Sequence, residues 1–490
     1  MKKLFVLPVF LFFVLFFVSM PLYSEETPPA AGQSDSLFNF GLGCILGSMS
    51  VNGENYQQMG FRPEIEIWKI GVALDINLFF DESGKIRKED WNEPSDYLDK
   101  IYYIKFAKRG DPFYFKVGGI DSTTLGYGAL INGYNNTIDY PSYKRQGLDI
   151  GFETSSFGAQ LIVNDFKELR GHNKSLMGGG RVFVKPFSRL QIGGSIAADF
   201  NEYKGLYDSD GDGVPDRVDA YPYDKNYATV ADYYLAHGAS QTTIDDLIAH
   251  GLISAETFGY KNKRSKTAFW SADAGILIFE GDFIKFDIYG QFAQSFNTGG
   301  WGISAPGLRL GIGKFFEIYG DYRYRTDEFI FSYYNDTYDL ERAKFVEDAS
   351  NHLTVETKKE KLYEAKALRG YFAGARLNLF DFIIAKGEYS DMSWASKQKD
   401  CYLKGELELS KTFIPGVEKL GAFYVNNDFR KRHLKSESAM WGAVMGVGFA
   451  QGVVIKLTYI VTYNDKNGDG KINGKDETNA KITMSTETKF

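Results

Sequence analysis

The stretch 315–325, FFEIYGDYRYR, carries the pattern on which the fold depends. One set of its alternate positions is apolar or aromatic and comprises Phe316, Ile318, Tyr322 and Tyr324. The other set is mainly charged and comprises Glu317, Tyr319, Asp321, Arg323 and Arg325. Successive side chains of a β-strand point to opposite faces. The segment therefore predicts a strand with one apolar face and one charged face.

The same period of two recurs along the chain, for example in 71–80, 283–292, 402–410 and 453–463. These stretches are about ten residues long, which suits a tilted strand that crosses a bilayer better than the five or six residues common in soluble sheets. A soluble β-sandwich also alternates, and it remains the alternative interpretation of the pattern.

The connections between these stretches are unequal. Tight links are predicted near 68–71, 108–112, 155–156, 186–188, 281–282, 313–314, 381 and 451. Longer links alternate with them, near 49–60, 81–100, 121–144, 165–177, 200–266, 327–365, 427–437 and 464–479. Short turns on one side and long loops on the other are typical of outer-membrane barrels. We therefore predict an all-β fold, a transmembrane antiparallel β-barrel of about 18–20 strands with long extracellular loops.

Composition and the N-terminus agree with an exported β protein. Aromatic residues make up 16% of the chain, and 52 Gly stand against 13 Pro, a balance that suits many strands and turns. Residues 1–24 combine two lysines, an apolar run and Ser24 at a plausible cleavage site, so they predict a signal peptide. An uncleaved anchor is the alternative. Residues 25–35 are predicted to be a periplasmic linker and 36–490 the barrel, and the net charge of −7 gives no indication of nucleic-acid binding.

The C-terminal stretch 480–490, AKITMSTETKF, resembles the last strand of Gram-negative outer-membrane β-barrel proteins. Ile482, Met484 and Phe490 fit the apolar positions of that strand, whereas Thr486 and Thr488 depart from them. The resemblance implies a porin-like protein in the outer membrane, contact with outer-membrane lipid, and recognition of this strand by the barrel-assembly machinery. It leaves open a monomer or a homo-trimer.

Two loops predict calcium sites. Residues 465–476 have the spacing of an EF-hand loop with Gly470 at the bend, and they resemble a dockerin-type loop because position 12 is Asp. Their expected ligands are Asp465, Asn467, Asp469, the carbonyl of Lys471, Asn473 and Asp476. The loop at 208–219 resembles a thrombospondin type-3 repeat, with Tyr221 where a Cys is usual, and its expected ligands are Asp208, Asp210, Asp212, Asp216 and Asp219. For the first loop a polar hairpin tip is the alternative.

Two long loops are predicted to be partly helical. In the insertion 200–266, the segment 230–254 has candidate packing residues Leu235, Ile244, Leu247 and Ile248, and Gly251 as a stop. The charged segment 339–368, most of which lies in the loop 327–365, is also predicted to form helix. Both are interpreted as a solvated cap over the barrel rather than as partner-binding elements.

Charges of both signs are predicted to line the lumen. They are Lys105, Lys116, Lys285, Asp287, Glu317, Asp321, Arg323, Arg376, Lys386, Glu388, Lys404, Glu406, Glu408 and Lys456. A barrel of this size has room for water, although opposite charges can also form ladders that only hold the wall together.

The sequence therefore predicts a passive channel for small hydrophilic solutes, narrowed by the loop near 121–144 or by the insertion. A plugged surface barrel, acting as an adhesin or structural protein, is the second hypothesis. The five histidines fall in predicted loops without the spacing of a metal site or a triad. No enzyme is expected, and an outer-membrane hydrolase is the third hypothesis.

Overall fold

The computed structural model of the chain describes most of the predicted barrel. The described residues are 38–51, 54–81, 83–88, 91, 97, 99–138, 143–169, 174–222, 224–253, 263–347, 353–380, 382–394, 399–409, 416–429, 433–450, 453–463, 465, 471–473 and 477–489. The predicted signal peptide (1–24) and linker (25–35) lie outside them.

The strands are numbered in chain order. The first twelve are β1 (Phe38–Val51), β2 (Glu54–Ile67), β3 (Ile70–Leu74), β4 (Ile76–Phe80), β5 (Ile101–Phe106), β6 (Phe113–Gly118), β7 (Ile131–Asn132), β8 (Gly147–Glu153), β9 (Phe157–Val163), β10 (Met177–Phe187), β11 (Leu190–Asp199) and β12 (Thr267–Glu280). The others are β13 (Ile284–Ser295), β14 (Trp301–Ile312), β15 (Phe316–Arg325), β16 (Tyr334–Asn335), β17 (Ala343–Glu347), β18 (Leu353–Thr357), β19 (Leu368–Leu379), β20 (Ile383–Ser393), β21 (Lys399–Leu409), β22 (Val417–Asn426), β23 (Ala439–Ala450), β24 (Val453–Tyr463) and β25 (Thr478–Lys489).

One large antiparallel sheet closes on itself. Its strands pair in chain order, and the first strand, β1, also pairs with the last, β25, from Gly41↔Lys489 to Ile45↔Ser485. Because β3 and β4 both pair with β2 and form one interrupted strand, the 21 segments of the sheet make 20 barrel strands. The predicted β-barrel of about 18–20 strands is confirmed. A sandwich of two stacked sheets is wrong, because closure leaves this sheet no free edge.

The connections alternate between short and long, with one exception to the prediction. The expected long link at 49–60 is wrong, because β1 and β2 pair without interruption as far as Val51↔Glu54. The intervening Asn52-Gly53 dipeptide is a strong hairpin signal in the sequence. It outweighs the polar composition that suggested a loop.

The helices occupy the long connections. They are α1 (Val230–Ala236), α2 (Gln241–Ala249), α3 (Tyr338–Glu341) and α4 (Lys358–Glu364). Thr229 and Asp232 form a reciprocal capping box at the start of α1, and the Ser240 side chain accepts a hydrogen bond from the Thr243 N–H at the start of α2. Gly251, at φ 67°, follows α2 as predicted. No helix in the described residues is long and apolar enough to cross a bilayer.

The helix predicted for 339–368 is only partly present. Between α3 and α4 the chain forms an antiparallel hairpin, in which β17 and β18 pair from Ala343↔Thr357 to Glu347↔Leu353. Val346, Thr354 and Val355 are β-branched, and such residues favour strands over helices. Charge density gave the wrong element here because it does not distinguish an exposed helix from an exposed hairpin.

Candidate functional site

The two faces of the barrel wall differ in chemistry. Exposed aliphatic side chains occupy the outward positions, among them Val182, Val184, Ile192, Ile196, Ile276, Ile288, Ile303 and Ile318. The intervening inward positions are buried and largely polar or small, as in β12, where Thr267, Ser271, Asp273 and Gly275 alternate with exposed or half-buried neighbours. This is the reverse of a soluble β-barrel, in which the apolar face packs inward.

Aromatic side chains mark both ends of the apolar surface. At the short links, exposed rings belong to Trp68, Phe113, Phe157, Phe187, Phe283, Phe315 and Phe380. At the other end a chain of ring contacts, with centroids 5.4–6.0 Å apart, joins Trp270, Phe292, Trp301, Tyr324 and Trp394. The strand segment from Phe283 to Phe292 is about 30 Å long. At a strand tilt of ~40° it spans about 23 Å along the membrane normal, which is close to the apolar height of membrane barrels.

The predicted lumen residues lie on the inward face, and many are paired with an opposite charge. Lys116 contacts Asp121 at 2.7 Å, Lys404 contacts Glu406 at 2.8 Å, and Arg323 contacts Asp321 at 2.6 Å. Further pairs are Lys105–Glu66, Lys386–Glu388, Lys285–Glu280, Arg309–Glu317 and Lys419–Glu408. In register, Asp287 is opposite Arg309, Arg376 is opposite Glu317, and Lys456 is opposite Gly446. The wall therefore carries ladders of mixed sign.

Two long loops fold into the long-loop end of the barrel. Residues 119–138 and 327–343 meet where β7 pairs in parallel with β16, Ile131 opposite Tyr334 and Asn132 opposite Asn335. Their side chains share one hydrophobic core with inward residues of the wall. From the loops it includes Ile120, Leu125, Leu130, Ile131, Tyr134, Phe329, Tyr333, Tyr334 and Tyr338, and from the wall Ile162, Met177, Ala197, Phe269, Ala293, Leu368 and Met392. We call residues 119–138 and 327–343 the inner plug.

Glycines on the inner wall make room for the plug. A Cβ at Gly179 would collide with Ile131 Cδ1 and lie 3.3 Å from Leu125 Cδ1, and a Cβ at Gly275 would collide with the Tyr127 hydroxyl. The Tyr127 ring stacks on the Tyr289 ring of the wall at 4.3 Å. The glycine-rich segment 175–183 therefore has a packing role.

A buried charge cluster fixes the plug to the wall. Arg342 is fully buried, and its Nε and Nη2 donate to Asp199 at 2.5 and 3.0 Å. Nη2 also donates to Glu168 at 2.8 Å, and Nη1 donates to the same carboxylate. The Tyr338 hydroxyl donates to Asp199 at 2.7 Å. Since buried charges cost free energy unless they are paired, this cluster holds the loop in one position.

The plug also reaches the opposite wall. Lys404 of β21 contacts Asp336 at 3.0 Å, and the side-chain amide of Asn427 donates to Glu341 at 2.6 Å. Burial alone would raise the pKa of Glu341, but Lys358 and Lys361 beside it lower that pKa to about 2. The plug is thus tied to the wall by polar contacts on both sides of the barrel.

The short-link end of the lumen is accessible to solvent. There the inward-facing Lys285 and Glu280 side chains are 54% and 57% exposed, and Arg309 and Glu317 are 38% and 37% exposed. By contrast, the Arg181–Asp273 pair nearer the plug is 2% exposed on both sides. The interior therefore changes from a solvent-accessible vestibule at the short-link end to a packed core at the long-loop end.

The acidic loop at 208–219 brings three predicted ligands together. Carboxylate oxygens of Asp208, Asp210 and Asp212 lie within 4.8 Å of one another. Asp216 accepts hydrogen bonds from the Ser209 N–H and hydroxyl, both at 2.7 Å. Asp219 Oδ2 is buried and has no hydrogen-bond partner among the described residues. Hard oxygens that converge on a turn are the donor set that calcium prefers.

The electrostatics of this loop suit a cation. Burial, with the neighbouring carboxylates of Asp208 and Asp212, raises the pKa of Asp210 to about 7. Burial likewise raises the pKa of Asp219 to about 6, with further contributions from Asp212 and Asp216. Charge is therefore disfavoured in the loop unless a cation compensates it.

Only part of the second predicted calcium loop is described. The Asp465 N–H donates to Glu437 at 3.1 Å, and the Asn473 N–H donates to Glu477 at 2.9 Å. Lys471 is also described, whereas Asn467, Asp469, Gly470 and Asp476 lie outside the described residues. Ile472, between the predicted ligands Lys471 and Asn473, packs with Ala439, Val461 and Tyr463 of the adjoining strands.

Sequence analysis missed the second half of the plug. The solvated cap was expected for 339–368, and the preceding segment 329–338 holds some of the most buried side chains among the described residues. A signal was present in FIFSYYNDTY (329–338), where five aromatic residues fall on both parities rather than on one face. Such a segment has to bury its rings elsewhere, and the barrel interior is the available place.

No protein-family model matches the sequence, and no curated protein sequence matches it. Among solved structures, a ferric enterobactin receptor of Pseudomonas aeruginosa aligns at 9% identity and a TM-score of 0.34, covering 94% of this chain and 81% of that one. OprD of Pseudomonas aeruginosa aligns at 8% identity and 0.32, covering 92% and 95%. OmpT, an outer membrane protein of Vibrio cholerae in a trimer form, aligns at 9% and 0.24, covering 92% and 98%.

Proposed function

We propose that the protein is an outer-membrane channel of a Gram-negative-type bacterium and that it admits small hydrophilic solutes by diffusion. The observation that carries the proposal is the inverted barrel wall, apolar and belted with aromatic rings outside, charged and hydrated inside at the short-link end. Lipid is the solvent that such an outer surface fits. Water and polar solutes fit the vestibule.

We assign the size selectivity of the proposed channel to the inner plug. The loop 119–138 overlaps the segment 121–144 that is expected to narrow the lumen, and the second loop of the plug packs against it. Solutes would pass between the plug and the charged wall, where pairs such as Lys404–Asp336 and Lys116–Asp121 join the two. A path of this kind restricts size more strongly than an open barrel does.

A second candidate is a plugged barrel that acts as an adhesin or structural protein of the cell surface. The observation in its favour is the fully buried Arg342 with its two carboxylate partners, which resists displacement of the loop. In that case the loops at the long-loop end, rather than the lumen, would carry the function.

Planar-bilayer conductance separates the two candidates. We expect small discrete steps from the intact protein and several-fold larger steps when residues 121–137 are replaced by a Gly-Ser linker. Replacement of α2, residues 241–249, by the same linker is the matched control and should leave the steps unchanged. Conductance only after removal of 121–137 would support the plugged barrel, and no conductance from any of the three proteins would contradict a channel.

We further propose that calcium orders the loop at 208–219, supported by the converging carboxylates and the raised pKa values of Asp210 and Asp219. The loop at 465–476 is proposed as a second site on its sequence spacing. Homo-trimer formation, recognition of β25 by the assembly machinery and the absence of enzymatic activity stay predictions.

A further inference from the structure

Positive charge interrupts the apolar outer surface at the long-loop end of β19–β21. Arg369, Ser393 and Lys399 are cross-strand neighbours, since Arg369 pairs with Ser393 and Ser393 pairs with Lys399. All three side chains are exposed. Their outward direction follows from alternation, because Leu368, Met392 and Tyr402 on the opposite parity pack inside the barrel.

The row formed by Arg369, Ser393 and Lys399 lies at the level of the aromatic belt at the long-loop end. Arg369 pairs with Tyr324, and its guanidinium lies 3.8 Å from the centre of the Trp394 ring. Tyr324 and Trp394 are themselves in contact, with centroids 6.0 Å apart. Aromatic belts lie at the level of the headgroups in membrane proteins. The cation–π contact therefore holds the Arg369 guanidinium at the level of the lipid headgroups. The N–H groups at the edge of the guanidinium do not take part in the ring contact and can donate hydrogen bonds.

The carboxylates near these two cations lie outside the Arg369–Ser393–Lys399 row. Asp391 lies one row nearer the membrane centre, opposite Tyr371 and Cys401, and it accepts a hydrogen bond from the Tyr389 hydroxyl at 3.2 Å. Asp400, next to Lys399, points inward and contacts Arg325 at 2.7 Å. Two cations thus face outward, and the outward Asp391 carboxylate is about 7 Å farther along the strand. On the loop side, the exposed Asp327 carboxylate accepts a hydrogen bond from the Ala367 N–H at 2.6 Å.

We propose that Arg369, Ser393 and Lys399 bind the phosphate of a phosphorylated lipid headgroup in the outer leaflet. The proposal rests on the membrane location given under the proposed function. Arg offers a planar donor fork and Lys a point charge, and both suit a phosphate that carries negative charge at the membrane surface. The Ser393 hydroxyl, between them, can donate the third hydrogen bond.

Native mass spectrometry of the full-length protein, purified in neutral detergent and mixed with diphosphorylated lipid A, tests the site. We expect the intact protein to retain the lipid. The double variant Arg369→Gln, Lys399→Gln should bind it about thirtyfold more weakly, because the loss of each cation near an anionic lipid surface lowers the affinity by roughly fivefold. Arg369→Lys with Lys399→Arg should restore most of the retention. The matched control is Lys225→Gln with Lys435→Gln, two exposed loop lysines.

Equal retention by the double variant and the control would overturn the proposal. Equal retention of dephosphorylated lipid A by the intact protein would overturn it too, because the phosphate would then have no role. Heat-modifiable migration on gels shows that each variant is folded. Planar-bilayer conductance reports on the channel separately, so loss of the lipid site with normal conductance is distinguishable from failure of the proposed function.

Discussion

At the scale of single residues, Arg342 joins the inner plug to the wall. It is fully buried, and its guanidinium donates to Asp199 of the wall and to Glu168 of a neighbouring loop. A buried ion pair adds little net stability compared with apolar packing, but removal of one partner leaves the other charge unpaired. Arg342 therefore determines where the loop lies more than how stable the barrel is.

Replacement of Arg342 by Met should release the plug. We expect a loss of about 3–5 kcal/mol for the docked loop, because Asp199 and Glu168 would remain buried without a cation. Limited proteolysis or hydrogen exchange within 329–343 measures the effect. The control is Arg217→Met, which removes an exposed guanidinium that lies 5.4 Å from the Phe345 ring. Equal protection of 329–343 in both variants would contradict the assigned role.

At the scale of elements, the long loops divide into two classes. The plug buries aromatic side chains in the lumen and has few ways to move without exposing them. The insertion 200–266 instead carries short capped helices and a turn rich in carboxylates, with little apolar burial beyond Ile244 and a few neighbours. Segments of the second class depend on ions or caps for order, because the hydrophobic contribution to their stability is small.

The acidic loop should bind calcium in a pH-dependent way. Because the folded pKa values of Asp210 and Asp219 are raised to about 7 and 6, the folded loop holds more protons than the unfolded chain between pH 4 and 7. Without metal its stability therefore falls as pH rises through this window. Calcium has to displace those protons, so its affinity should fall on going from pH 7.5 to 5.5.

Calcium titration by calorimetry at the two pH values measures this change and the accompanying proton release. Asp210→Asn should abolish most of the binding, whereas Asp245→Asn, an exposed carboxylate on α2, is the matched control and should leave it intact. An affinity that is the same at both pH values would contradict the assignment of these carboxylates as ligands.

At the scale of the whole molecule, the closed sheet and its apolar outer face together fit a lipid environment. Among the described residues, twenty strands close edge to edge through the pairing of β1 with β25, so no strand is left as a free edge, which permits a lipid environment. The apolar outer face then makes that environment necessary, because Ile196, Val182 and Phe187 would otherwise face water at 62%, 67% and 71% exposure. A soluble protein of this shape would expose an unusually large apolar surface.

A lysine in the middle of the outer face should destabilise the membrane-embedded barrel. Ile192 pairs with Ala274, four residues along the strand from the belt residue Trp270. For Ile192→Lys we expect a cost of about 2–4 kcal/mol near the midplane, measured by urea unfolding in phospholipid vesicles. Ile192→Val is the control, with an expected change well below that. If both variants unfold at the same urea concentration, the outward face of β11 does not contact lipid.

The amino-acid sequence by itself determined the wall of this protein. Period-two alternation depends only on neighbouring residues, so the strands, the approximate strand number and the inward charges such as Glu317 and Asp321 could be predicted without a structure. The packing residue Ile244 and Gly251 as a stop similarly located the helices of the insertion, since these signals are also local.

The tertiary structure alone decided what fills the barrel. The parallel pairing of β7 with β16 and the contact of Arg342 with Asp199 join residues far apart in the chain, and no local period encodes them. The segment 329–338 became core because its surroundings, and not its local propensity, set the free energy. Side chains that alternate specify a closed wall, whereas the contents of its lumen depend on which loops can bury their aromatic rings inside it.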